Sequence, residues 1–140
     1  MAIESSLSIL SSILSIAVSV KDWMSQTGTS AETAIDQLSE RGNEQTRQAL
    51  AEADIREAVL SLMVISKDLL EQLTAEALEC ENKHIAGRKS ATGHIDKQDA
   101  DIKAAQCMCG VLRDVKRYNN RQLPNGKRFR NLWDSYGCED

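Results

Sequence analysis

The sequence predicts an all-α fold: a four- to five-helix bundle with one long central helix, straight or kinked, and a short aromatic helix near the C-terminal end. Three observations lead there. Aromatic residues make up 4% of the 140, with one Pro and seven Gly, whereas strands favour aromatic and β-branched side chains and need frequent turns. Apolar residues recur at spacings of three and four through most of the chain. The hydrophobic fraction of 41% and charged fraction of 27% are those of a soluble globular protein. A chain of this size hides about 70% of its unfolded surface. Intrinsic disorder, collagen-like repeats and a polytopic membrane protein are excluded.

The first helix is assigned to residues 3–25. Ser5, Ser8, Ser12, Ser15 and Ser19 fall on one narrow stripe. The rest of the circumference is apolar: Leu7, Leu10, Leu14 and Ala17 form one row, and Ile9, Ile13, Ile16, Val20 and Trp23 the next. Such a helix suits a bundle centre, a contact with a partner or a second copy, or a membrane surface. Residues 30–84 read as one long or broken helix. Ser30 is a candidate cap with Glu32 behind it, and Gly42 is the weak point. Ile55, Val59, Leu62, Leu69, Leu73 and Cys80 carry its apolar stripe. Residues 85–94, with two glycines, a Ser and a Thr, read as a loop. A helix over 95–120 follows, its face marked by Ile95, Ile102, Ala105, Cys109, Leu112 and Val115. Residues 121–126 form a turn around Leu123-Pro124-Asn125-Gly126. The last helix, 127–137, brings Phe129, Leu132, Trp133 and Tyr136 onto one face. One helical domain spans 1–140.

Charge is unevenly spread. Residues 1–110 carry a net −7, residues 111–130 a net +6 and residues 131–140 a net −3, against −4 for the chain. Overall acidity argues against a nucleic-acid-coating protein, while the basic segment suits a local anionic partner. The start, MAIESS, has no basic region of the kind that opens a signal peptide. The uncharged stretch 5–20 gives about 24 Å of helix, short of a ~30 Å hydrocarbon core. A cytoplasmic protein with reduced thiols is therefore expected.

No phosphate loop, serine-nucleophile elbow or zinc-helix motif is present, so neither an enzyme nor a cofactor is expected. The best catalytic constellation is Glu76, Cys80 and His84, each four residues apart. An imidazolium there would activate the Cys80 thiol, or the set would hold zinc; against that, Cys80 continues the apolar stripe as a small hydrophobe. Cys107 and Cys109 project about 200° apart on a helix, so the two thiolates cannot share one ion.

The function that fits is a non-enzymatic interaction or self-assembly module. One contact surface would be the first helix: Leu7, Leu10, Ile13, Leu14, Val20 and Trp23. The other would be the basic-aromatic end: Arg113, Lys116, Arg117, Arg121, Arg128, Phe129, Arg130, Trp133 and Tyr136. An acidic body with one basic end also suits head-to-tail stacking of copies. The alternatives are a membrane-active protein whose residues 3–24 enter lipid, and a thiol or zinc site at Cys80 and His84. A Ser/Leu/Ile-rich helix ahead of a helical bundle resembles the N-terminal helical domains of cell-death and defence proteins. That likeness of architecture implies the membrane alternative. Leu10→Glu or Ile13→Glu separates the cases: association is lost if the first helix is an interface, and folding is lost if it is core.

Overall fold

The structure, a computed structural model, describes the backbone of residues 3–139 and the side chains of residues 7–139. Seven α-helices run through them: α1 (Ile3–Thr27), α2 (Ala31–Arg41), α3 (Glu44–Leu50), α4 (Ala53–Ser61), α5 (Lys67–Ser90), α6 (His94–Tyr118) and α7 (Lys127–Ser135). A 3-10 turn, Leu62–Val64, joins α4 to α5, and no strand occurs among the described residues. The all-α class holds, with seven helices instead of four or five.

The main correction concerns residues 30–84. There is no long central helix there but four α-helices and the 3-10 turn. Each interruption offers the backbone a local alternative. Gly42 ends α2 so tightly that a Cβ would lie 2.6 Å from the Leu38 carbonyl oxygen. Asn43 then accepts from the Thr46 amide at 2.8 Å and starts α3. Ser66, after the extended Ile65, accepts from the Leu69 amide at 3.3 Å and starts α5. Side-chain oxygens at these positions satisfy amides that a helix start leaves unpaired. The apolar stripe looked continuous because short helices wrapping one core reuse the same spacing.

The predicted loop 85–94 is also corrected. Helix α5 runs on to Ser90, and Ala91–Gly93 alone join it to α6. Gly87 packs close to α6 within the helix: a Cβ there would meet that of Ala100 at 3.3 Å. The expectation of free thiols is overturned too. Cys80 is bonded to Cys107 and Cys109 to Cys138, with Cα separations of 5.8 and 5.5 Å. The opposed directions of Cys107 and Cys109 give the reason: one faces α5 and the other the chain's last residues.

Helix α1 is the hub. It packs on α2, α4, α5, α6 and α7, and it buries Leu7, Leu10, Ile13, Leu14, Ile16, Ala17 and Val20. It runs antiparallel to α5, since Asp22 pairs with Lys67 at one end and Leu7 lies beside His84 and Arg88 at the other. Lys21 ties it to the 3-10 turn by donating to the Met63 carbonyl at 2.7 Å. Of the serine stripe, the Ser5 side chain lies outside the described residues. Ser8, Ser15 and Ser19 are exposed, and Ser12 is half-buried. On α6 the predicted apolar face is buried only from Ala104 onward, with Ile95 80% and Ile102 56% exposed.

Leu10 is 0% exposed, so Leu10→Ala should cost about 2–5 kcal/mol, measured by urea unfolding followed by circular dichroism. Leu10→Glu should leave no folded chain whose association could be assayed.

Candidate functional site

The triplet Glu76, Cys80 and His84 sits on the face of α5 that meets α6, but its members do not meet one another. Each crosses to a different partner. Glu76 faces Asp114, Cys80 is bonded to Cys107, and His84 Nε2 lies 2.6 Å from Asp101 Oδ1. The sequence separations shrink evenly toward the tip, as an antiparallel pair requires. With its sulfur in a disulfide, Cys80 is neither a nucleophile nor a zinc ligand. No group of three or more potential metal ligands comes together among the described residues.

His84 is 7% exposed, and Arg88 completes its cluster with Nη1 at 2.8 and 2.9 Å from the two Asp101 oxygens. Burial acts to raise the Asp101 pKa, but hydrogen bonds from His84 and Arg88 and their charge together outweigh it. The carboxyl stays below its ordinary value of 3.8. At Glu76 burial is the leading cause, followed by the charge and hydrogen bond of Asp114, and the pKa is raised. Neither Asp101 nor Asp114 was singled out from the sequence. The signal lay in the register of the hairpin, which no local spacing reports.

The basic-aromatic end divides into two layers. Phe129, Leu132, Trp133 and Tyr136 face inward from α7 and are buried. Burial, reinforced by the negative charge of Glu81, pushes the Tyr136 phenol well above its ordinary pKa. Gly126 opens α7 at φ +115°, where a Cβ would come within 3.2 Å of the Glu57 side chain. Arg128 turns back onto the acidic body, 2.7 Å from Asp54 and 3.8 Å from Glu52. The other cations face outward. Arg113, Lys116, Arg117 and Arg121 line a cleft of about 350 Å³ with Trp133 and Glu139. Lys116 Nζ lies 4.7 Å from the centre of the Trp133 ring, and Arg117 donates to Asp114 at 2.8 Å. Arg113, Arg121, Lys127 and Arg130 are exposed and make no ion pair with any described residue.

Arg121 lies beyond the end of α6, yet its amide bonds the Lys116 carbonyl at 2.8 Å, with φ 64°. That left-handed residue folds the chain back over the last turn and keeps Arg121 with Arg113 and Arg117. The disulfide Cys109–Cys138 fixes the far wall of the cleft, where Glu139 follows.

The first-helix residues lie elsewhere. Leu7, Leu10, Ile13, Leu14 and Val20 are in the core, and Trp23 is half-buried, donating to Gln37 of α2 at 2.6 Å. Leu7–Thr27 is apolar enough to cross a membrane by length and composition, with a mean hydropathy of 1.4. Its large apolar side chains are all buried or half-buried against neighbouring helices. The serine stripe borders a polar groove of about 450 Å³ shared with Asn43, Gln45 and Thr46. No known protein family, characterised protein or solved structure matches the chain.

The contacts between α5 and α6 generate three predictions. Closing loops with sequence separations of 27 and 29 is worth about 3–4 kcal/mol per disulfide by chain entropy. A Cys80→Ser/Cys107→Ser variant should lose that much in urea unfolding. The Asp101 contribution is complete above its unfolded pKa of 3.8 and is lost as pH falls through the lower folded value. Asp101→Asn should remove that acid limb. Glu76 has the opposite sign, so Glu76→Gln should raise stability at neutral pH, read from the same curves.

Proposed function

We propose that the chain is a non-enzymatic interaction or self-assembly module whose working surface is the basic face of α6 and α7. One observation carries this reading. A chain of net charge −4 holds Arg113, Arg121, Lys127 and Arg130 in solvent without acidic partners among the described residues, although Arg128 nearby has two. Cations that served only to neutralise the acidic body would lie on it, as Arg128 does. Arginine is suited to an oxyanion partner, because its planar fork grips a carboxylate through two bonds. Contact through Leu7, Leu10, Ile13, Leu14 or Val20 would first require α1 to leave its neighbours, as would insertion into lipid. The basic face needs no rearrangement. Two disulfides suit a setting that keeps thiols oxidised, in place of the reducing cytosol.

The partner chemistry is a row of carboxylates. A labelled helical peptide with Glu at every fourth position should bind the wild-type chain in fluorescence anisotropy. Binding should weaken steeply with salt, because exposed charges act over ~30 Å at about 0.01 M ionic strength and ~3 Å at 1 M. Arg113→Glu/Arg117→Glu/Arg121→Glu should abolish it. Absence of wild-type binding at low salt overturns the reading.

A further inference from the structure

The outward cations of α6 form a ladder. Arg113 and Arg117 lie one turn apart on α6, and Arg121, beyond the helix end at Tyr118, folds back so that all three line one cleft. The two helical positions, Arg113 and Arg117, are about 6 Å apart along the axis. Helix α2 carries the matching ladder of opposite sign. Glu32, Asp36 and Glu40 recur every fourth residue, and all three are exposed. They lie opposite the face that α2 buries with Ala34, Ile35 and Leu38. Asp36 pairs with Arg56 of α4 and keeps 67% of its side chain exposed, while Glu32 and Glu40 make no ion pair with any described residue. Beside this ladder lies a shallow cleft lined by Ile35, Arg56, Glu57 and the exposed Leu60.

No ion pair joins the two ladders within one molecule among the described residues. Helix α2 packs on α1, α3 and α4, whereas α6 packs on α5 and α1. Each is therefore presented to a different direction of solvent. Opposite sign and an equal number of charges, with the Arg113–Arg117 turn matching the spacing along α2, let the two surfaces pair.

We infer that the occupant of the basic face is a second copy of this chain, which seats its α2 acidic ladder, Glu32, Asp36 and Glu40, on Arg113, Arg117 and Arg121. This deepens the proposed function and rests on it. The contact joins two different surfaces, so each copy keeps one free ladder and the pair presents one of each sign. Copies then add head to tail, closing into a ring or extending as a filament. The arginines supply bidentate donors to carboxylates, with Asp114 holding the middle guanidinium in place.

The test is molar mass by light scattering over a range of protein concentrations at low and high salt. Wild-type protein should show mass rising above 15.5 kDa with concentration at about 0.01 M ionic strength and falling back at about 1 M. The variant Arg113→Glu/Arg117→Glu/Arg121→Glu should stay monomeric, as should Glu32→Lys/Asp36→Lys/Glu40→Lys. Mixing the two should restore association, because each then offers the ladder the other lacks. All six positions are on the surface, and unchanged circular dichroism will show that both variants fold. A wild-type chain fixed at 15.5 kDa under all conditions overturns the inference, as does association that survives either swap or fails to return on mixing. If the wild type is monomeric yet binds the acidic peptide, the basic face stands and the second copy falls. If it also ignores the peptide, both fall.

Discussion

The whole arrangement depends on burying α1. Between Ser5 and Val20 this helix has no charged side chain, and only a serine stripe separates its two apolar rows. A helix apolar around most of its circumference must be covered on most of its sides. One or two long neighbours cannot do that, since straight rods touch a central rod along single seams. The chain solves this by dividing residues 31–64 into short pieces that turn around α1, while α5 lies antiparallel along another side. The serine stripe is the one sector left wet, where Ser19 donates to the Ser15 carbonyl, while the buried Ser11 beside it donates to that of Ser8.

Covering α1 leaves α6 with two obligations. Its inner face fixes the register with α5 through the Cys80–Cys107 disulfide and the His84–Asp101 contact. Its C-terminal turns accept α7 and the chain's last residues through buried aromatics and Cys109–Cys138. The faces remaining on those turns carry the cations. Cations there also complement the negative end of the helix dipole, so part of the pattern is structural. The dipole effect fades within the last turn, however, and Arg113 lies more than a turn inside α6. It does not account for the outermost rung at that end of the ladder.

Much of this was legible in the sequence. The composition gave the class, and the serine stripe gave the orientation of α1. The spacing of Phe129, Leu132, Trp133 and Tyr136 gave the inner face of α7. The breaks at residues 51–52 and 65–66 were not legible, because apolar periodicity reports which side faces the core and says nothing of a change in axis direction. Ser66 followed by Asp68 was a helix-start signal hidden inside an unbroken stripe. Gly87 misled for the opposite reason: it permits close helix packing, and its neighbours on both sides stay helical. The disulfides were missed through an assumption about compartment, although the opposed projection of Cys107 and Cys109 already implied two different partners. The candidate surface was only partly visible. Each arginine could be named, but their separation from Arg128, which is paired, required the fold.

That separation decides how the surface charge should be understood. A single exposed ion pair is worth about 0–1 kcal/mol and disappears into salt, so isolated cations on an acidic protein say little. A regular row differs, because ordering the first pair aligns the next and the entropic cost is shared along the row. Arg128 shows that the acidic body can recruit a cation from α7 when geometry allows. Arg113, Arg117 and Arg121 are gathered along one cleft, and none of them pairs with an acid of α2 to α4 among the described residues. Helix α2 holds its acids on the face opposite its buried side, and none of them pairs with a cation of α6 among the described residues. Asp36 and Arg117 already have partners inside the fold, Arg56 and Asp114, so the charges left for a contact in solution are the outer ones, Glu32, Glu40, Arg113 and Arg121.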